Sequence, residues 1–179
     1  MGAYVVDVSS IMAQAGASLE VDDDVPLESL VVGDTVAVFD VSPHLRATIS
    51  NTGEGLVLLG TVEGTAQLEC SRCLEPFIRD LAGSLEGILT AEDRRDTLAE
   101  DEEWYPLTPA GTVDLLPAVQ AALAIEIPYA PLHHEECRGI CPTCGCDRNH
   151  DSCDCVEDGP EISGPFAVLK DLIDGDQDS

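Results

Sequence analysis

Eight cysteines constrain this chain more than any other feature. They stand as Cys70-Ser71-Arg72-Cys73, then Cys137, then Cys141-Pro142-Thr143-Cys144-Gly145-Cys146, and finally Cys153-Asp154-Cys155. Two residues between cysteines let the backbone fold into a knuckle that places both sulfurs about 2.3 Å from one metal ion. A lone Cys-x-x-Cys also suits thiol–disulfide chemistry. A redox pair of that kind belongs at a helix N-terminus in a βαβ setting, whereas Cys70 follows the strand-like run Thr65-Ala66-Gln67-Leu68-Glu69. The context therefore favours metal. In the second motif Pro142 fixes the turn and Gly145 tolerates the positive φ that closes it.

Cys153 and Cys155 lie close enough in sequence to give Cys141 and Cys144 four sulfur ligands around one ion. Cys70 and Cys73 have no neighbouring pair, so their partners must arrive from elsewhere, and His133 and Cys137 have suitable spacing. Two zinc sites are expected: Cys70, Cys73, His133 and Cys137 in one, Cys141, Cys144, Cys153 and Cys155 in the other. His134 could replace His133, and Cys146, otherwise spare, could replace Cys153 or Cys155. His44 and His150 are isolated and receive no role. Four protein ligands leave no open coordination position, so both zinc ions would be structural and the chain no enzyme. The segment from His133 to Cys155 should need metal to fold. No glycine-rich phosphate loop or nucleophile motif appears.

Charge limits the partners. The 179 residues carry 35 acidic and only 8 basic side chains, a formal net charge of −27, and Lys170 is the lone lysine. Nucleic-acid affinity comes mostly from Lys and Arg neutralising phosphates, so direct nucleic-acid binding should not dominate. A basic partner would be attracted and its encounter speeded. An equally good reading is that the acidity maintains solubility or reflects an acidic proteome. The N-terminus lacks the basic and apolar regions of a secretory signal. The longest apolar stretch, Val113 to Leu132, is interrupted by Asp114, Pro117, Glu126 and Pro128, so it should not span a membrane. A cytoplasmic location is expected, where clustered thiols stay reduced and bind metal rather than form disulfides.

Hydropathy alternation indicates an α+β chain, mainly antiparallel β-sheet with a few short helices and a cysteine-rich zinc-knuckle C-terminal segment. Strands are expected near Tyr4 to Val8, over Asp34 to Ile49, from Gly55 through Cys70, and over Phe77 to Thr90, with a hairpin at Asn51-Thr52-Gly53-Glu54-Gly55. Phe77, Leu81, Leu85 and Leu89 also suit a helix, but Gly83 and Gly87 weigh for a strand. The β-rich domain would cover residues 1–132. It would include an acidic, mobile loop at 91–109, pinned by Trp104 and Tyr105, and a helix at 114–127 capped by Asp114 and stopped at Pro128. Residues 133–179 would hold the zinc segment and a terminal helix at 165–174.

The run Leu68-Glu69-Cys70-Ser71-Arg72-Cys73-Leu74-Glu75-Pro76-Phe77 resembles the signature of the YceD family, the large ribosomal RNA subunit accumulation proteins. So do the acidic loop, the Asp114-Leu115-Leu116 helix, the Cys137 to Gly145 segment and the closing Pro165-Phe166-Ala167-Val168-Leu169-Lys170. The family usually has Asn-Leu-Asn after the second knuckle; here Asp147-Arg148-Asn149 stands there, and Cys146 is an addition. The resemblance implies a non-enzymatic role in making or accumulating 23S ribosomal RNA, with no small-molecule substrate. Joined to the charge, it suggests an assembly factor that binds a basic ribosomal protein or a pre-ribosomal large-subunit particle. RNA would be touched only through a local patch such as Arg72, Arg79 and Arg138. Two rival classes are a nucleic-acid-binding zinc ribbon, which would need basic neighbours where Glu135, Glu136, Asp147, Asp151 and Asp154 stand, and a thiol redox or iron–sulfur protein.

Overall fold

Alternating burial runs through most of the chain. The structure, a computed structural model, describes residues 3–99 and 102–155 and converts that alternation into nine strands among the described residues. In order they are β1 (Val5–Asp7), helix α1 (Ser9–Met12), β2 (Ser18–Asp24), β3 (Ser29–Val32), β4 (Thr35–Val38), β5 (His44–Asn51), β6 (Leu56–Glu69) and β7 (Pro76–Thr90). A 3-10 turn (Glu92–Thr97), β8 (Trp104–Pro106), β9 (Thr112–Asp114) and helix α2 (Leu116–Glu126) follow. The chain divides into two compact units, Met1–Cys137 and Arg138–Ser179. The helix expected at 165–174 lies outside the described residues.

The fold is mainly antiparallel sheet with short helices, as the alternation requires. Its spine is the β6–β7 ladder, paired from Leu56↔Leu89 to Glu69↔Pro76. On the buried face of this ladder large residues sit opposite small ones: Leu58↔Gly87, Gly60↔Leu85, Val62↔Gly83 and Gly64↔Leu81. A one-residue slip would turn every one of these side chains to the other face, so this face holds the register. Gly83 and Gly87 do more than permit a strand. A Cβ at Gly83 would lie 2.5 Å from the carbonyl oxygen of Ala122 in α2, and one at Gly87 would lie 2.5 Å from the Tyr105 ring. The helix and the tyrosine each seat on β7 where it has no side chain.

Three expectations are corrected. The run Asp34 to Ile49 is two strands rather than one, because β4 meets β6 at Val38↔Gln67 whereas β5 runs along Leu56 to Glu63. The segment Asp40 to Pro43 carries the chain from one to the other. Strands β2 and β3 escaped notice: β2 ends in Asp22-Asp23-Asp24, residues that disfavour strands but suit a sheet edge. The acidic connection at 91–109 holds the 3-10 turn and β8, which pairs in parallel with β7. There Tyr105 is buried, and the Arg95 guanidinium lies 5.6 Å over the Trp104 ring.

Helix α2 starts at Leu116, because Asp114 still belongs to β9. Its carboxylate nevertheless accepts the Leu116 amide at 3.0 Å and the Tyr4 amide at 2.9 Å, so one side chain caps the helix and fastens β1. Leu116, Val119 and Leu123 form the buried stripe, with Ile127 just past the helix end. Asn51, a residue of the hairpin turn, is buried. Its amide nitrogen donates to the carbonyls of Ile11 at 2.8 Å and Met12 at 3.0 Å, satisfying the end of α1. His44 opens β5 and lies between two aspartates of β2, 2.8 Å from Asp24 Oδ1 and 2.8 Å from Asp22 Oδ1.

Two outcomes follow from this packing. Gly83→Val forces α2 off β7 and should cost about 1–3 kcal/mol in urea unfolding, with the slope unchanged. The hydrogen bond to Asp24, aided by Asp22 against desolvation and Arg46, holds the His44 imidazole above its usual pKa. A raised folded-state pKa gives stabilisation that is present below the unfolded imidazole value of about 6.5 and is lost as pH rises through the folded value. NMR titration should place the His44 midpoint above that of an ordinary imidazole, and Asp24→Asn should return it toward the ordinary range.

Candidate metal centres

Cys70 is buried directly after β6 ends at Glu69, and Pro76 begins β7, so the first knuckle is the hairpin turn of the sheet's spine. The Leu74 amide donates to the Cys70 carbonyl at 2.9 Å, and the Cys70 amide to the Glu75 carbonyl at 3.0 Å. The chain returning from α2 is tied to this turn by two further contacts. The Ser71 amide donates to the Pro131 carbonyl at 2.8 Å, and the Arg72 guanidinium donates to the carbonyls of Cys137 at 2.9 Å and Glu135 at 3.3 Å. Arg72, a candidate for a basic patch, directs its charge at its own backbone.

This return brings His133 and Cys137 to the knuckle. The donor atoms of Cys70, Cys73, His133 and Cys137 all lie within 4.8 Å of one another. The Cys70 and Cys137 sulfurs are 3.7 Å apart, and Cys73 Sγ is 3.4 Å from His133 Nδ1. A tetrahedral ion with sulfur at about 2.3 Å and nitrogen at about 2.0 Å has S···S edges of about 3.8 Å and S···N edges of about 3.5 Å. The spacing is that of a coordination tetrahedron, far too long for a disulfide. His133 turns its other nitrogen toward Glu75, 3.9 Å away, which fits an imidazole oriented by an outer carboxylate. The His134 ring packs edge-on against that of His133, with centroids 4.0 Å apart, and is not one of the four donors.

The second unit repeats the turn. The Gly145 amide donates to the Cys141 carbonyl at 2.9 Å, and the Cys141 amide to the Cys146 carbonyl at 2.8 Å, the same two bonds as around Cys70. Asp147 then reverses the chain, its carboxylate accepting the Asn149 amide at 2.8 Å, while Asn149 Oδ1 accepts the Arg138 amide at 2.8 Å. Asp147 and Asn149 thus build the loop that returns Cys153 and Cys155. The donor atoms of Cys141, Cys144, Cys153 and Cys155 lie within 4.8 Å of one another. Cys146 stands beside them, its thiol against Cys144 and Cys153.

One difference between the knuckles was legible only by laying Cys-Ser-Arg-Cys-Leu over Cys-Pro-Thr-Cys-Gly. The residue after the second cysteine takes positive φ in both, 76° at Gly145 and 64° at Leu74. That conformation is free for glycine but costs a leucine about 1–2 kcal/mol.

The two thiol clusters could each hold a cation. Burial opposes ionisation of Cys70, yet hydrogen bonds from His133 and from the backbone amides of Cys73, His133 and Arg72 prevail and bring it down to about 5. Burial, reinforced by Cys70 and Cys137, pushes Cys73 up to about 12. In the second unit the amides of Cys144 and Thr143 bring Cys141 down to about 5, whereas the Cys144 thiol pushes Cys155 up to about 12. Cys70 in the first quartet and Cys141 and Cys144 in the second favour the thiolate, whereas Cys73 and Cys155 are held toward the thiol; a cation bound among them would favour the charged form of each. No disulfide joins any of the eight cysteines. No helix among the described residues is long and apolar enough to cross a membrane.

Comparison with known proteins follows the same residues. Uncharacterised proteins of Mycobacterium tuberculosis and Mycobacterium bovis are each 27% identical over 145 residues, covering 78% of this chain and 68% of theirs. A Haemophilus influenzae protein named large ribosomal RNA subunit accumulation protein YceD is 32% identical over 82 residues, covering 45% of this chain and 47% of its own. No solved structure matches. The family described as large ribosomal RNA subunit accumulation protein YceD matches residues 58–173, a span that starts in β6 and takes in both knuckles. The chain belongs to the YceD family.

Proposed function

We propose that this chain is a non-enzymatic, cytoplasmic zinc protein that supports the accumulation of 23S ribosomal RNA by binding a basic ribosomal protein or a large-subunit precursor particle. The family match over residues 58–173 carries this reading. A net charge of −27 agrees with it, since a surface so acidic repels free RNA and draws basic partners.

Cys70, Cys73, His133 and Cys137 would hold one ion, and Cys141, Cys144, Cys153 and Cys155 the other. Three thiolates with an imidazole, and four thiolates, are donor sets that suit zinc. Each set is complete, so the ion's role would be to hold chain segments together, with no position left for substrate or water. At the first knuckle it would lock the residues after α2 onto the end of the β6–β7 hairpin. At the second it would fold a segment that has little apolar core of its own.

Native mass spectrometry with elemental analysis should find two zinc ions per chain. Cys141→Ser with Cys144→Ser should leave one, with the far-ultraviolet signal of the sheet retained. Cys70→Ser should also leave one, but with a marked fall in melting temperature, because it unties the return from α2. In host cells, depletion should lower the ratio of 23S to 16S ribosomal RNA, and low-salt affinity purification should recover large-subunit proteins or precursors. A normal ratio together with no ribosomal material recovered would defeat the assignment.

A further inference from the structure

The first knuckle has an outer side, reached by the quartet only through Cys70. A cleft of about 620 Å³ opens there, with Val36, Val38, Leu74 and Tyr129 on its walls and Asp34 and Glu69 among its polar lining. No Lys, Arg or His lines it among the described residues. Its four large walls are all open to solvent: Val36 is 49% exposed, Val38 41%, Leu74 55% and Tyr129 88%. Leu74 is the most telling. It occupies the positive-φ position that the second knuckle fills with Gly145, so its backbone is strained, yet the residue stays more than half exposed. Strain of this kind persists where a side chain is required for something besides folding. Tyr129 leans over the β3–β4 turn near Gly33 and presents an aromatic face on which a cation can sit.

We propose that this cleft docks a lysine- and arginine-rich protein segment that inserts one large apolar side chain between Leu74 and Tyr129, with its flanking cations on Asp34, Glu69 and the tyrosine ring. This rests on the reading that the chain binds a basic partner, and it names the face and the chemistry of that contact. The volume lies in the range of built ligand sites. An anionic lining in an acidic protein repels RNA phosphates and a second copy of this chain, which leaves a cationic polypeptide as the complementary occupant.

The test uses the full zinc-loaded chain and a fluorescein-labelled lysine/arginine peptide with one central phenylalanine, read by fluorescence anisotropy. Binding should saturate, and it should weaken about tenfold or more in the double variant Leu74→Gly/Tyr129→Ser, a loss expected of paired anchor residues. Replacing the peptide's phenylalanine by serine should have a similar effect. Leu59→Ser, an equally exposed leucine elsewhere on β6, should change nothing. Leu74→Gly relieves strain, so an unchanged or raised melting temperature should accompany the loss of binding.

Equal affinity of the double variant and the wild type would overturn the proposal. So would equal affinity for the two peptides, or direct binding of a labelled single-stranded RNA that the double variant weakens. The same variants separate this idea from the functional reading. If wild type and double variant recover large-subunit particles equally from cells, the cleft is not the contact while the ribosomal role stands. If wild type recovers none, the ribosomal role fails, and the peptide titration still decides the cleft.

Discussion

The first unit depends on the pairing of β6 with β7. This single antiparallel ladder buries an alternating face of leucines, valine and glycines, supplies the surface on which α2 lies, and ends in the turn that carries two cysteines. Because the knuckle is the hairpin's own reversal, the pairing that sets the sheet's register also sets the separation of Cys70 from Cys73. The quartet therefore gains half of its geometry from the sheet. The other half comes from the segment after α2, held by the Ser71 amide and the Arg72 guanidinium before any ion is considered. A site preorganised in this way would lose less chain entropy on binding a cation than the second one would.

The second quartet works from the opposite starting point. Its described residues, 138–155, contain no helix and no strand beyond one isolated bridge, Ile140↔Asp147, and their order comes from turns. Asp147 and Asn149 build the loop with side-chain-to-backbone hydrogen bonds, and Gly139 and Gly145 supply the positive-φ conformation that other residues resist. The same knuckle thus appears twice in one chain, once as the end of a sheet and once as most of what its surroundings contain. The energetic role of a cation would differ accordingly: it would clamp a pre-existing turn in the first case and stand in for a hydrophobic core in the second.

Leu74 links this architecture to the proposed docking cleft. A knuckle needs a residue of positive φ after its second cysteine, and glycine meets the need at no cost, as Gly145 does. Placing leucine there projects an apolar side chain from a tight, hydrogen-bonded turn toward solvent, on the same cleft as Tyr129. Recognition surfaces gain affinity when their anchors are held in place beforehand, and a tight turn holds one better than a free loop.

Sequence alone determined the features that follow from local chemistry and short spacing. The cysteine pairs, the alternation of β6 and β7, the Asn51 hairpin, the apolar stripe of α2 and the acidic surface all depend on residues near each other in the chain. It could not place what depends on distant contacts. The division of residues 34–49 into two strands reflects which part of β6 each half meets. The acidic strand β2 is held at the sheet edge by β5 and by His44 between its aspartates. Gly83 and Gly87 read as weak strand signals, and only the packed helix and the Tyr105 ring give them a purpose. His133 and His134 are adjacent and chemically alike, and it was the path from α2 back to the knuckle that pointed one imidazole at Cys73 and left the other beside it. Tertiary structure decides these matters because each depends on the approach of segments tens of residues apart, where only packing and hydrogen bonding in the finished fold select one partner over another.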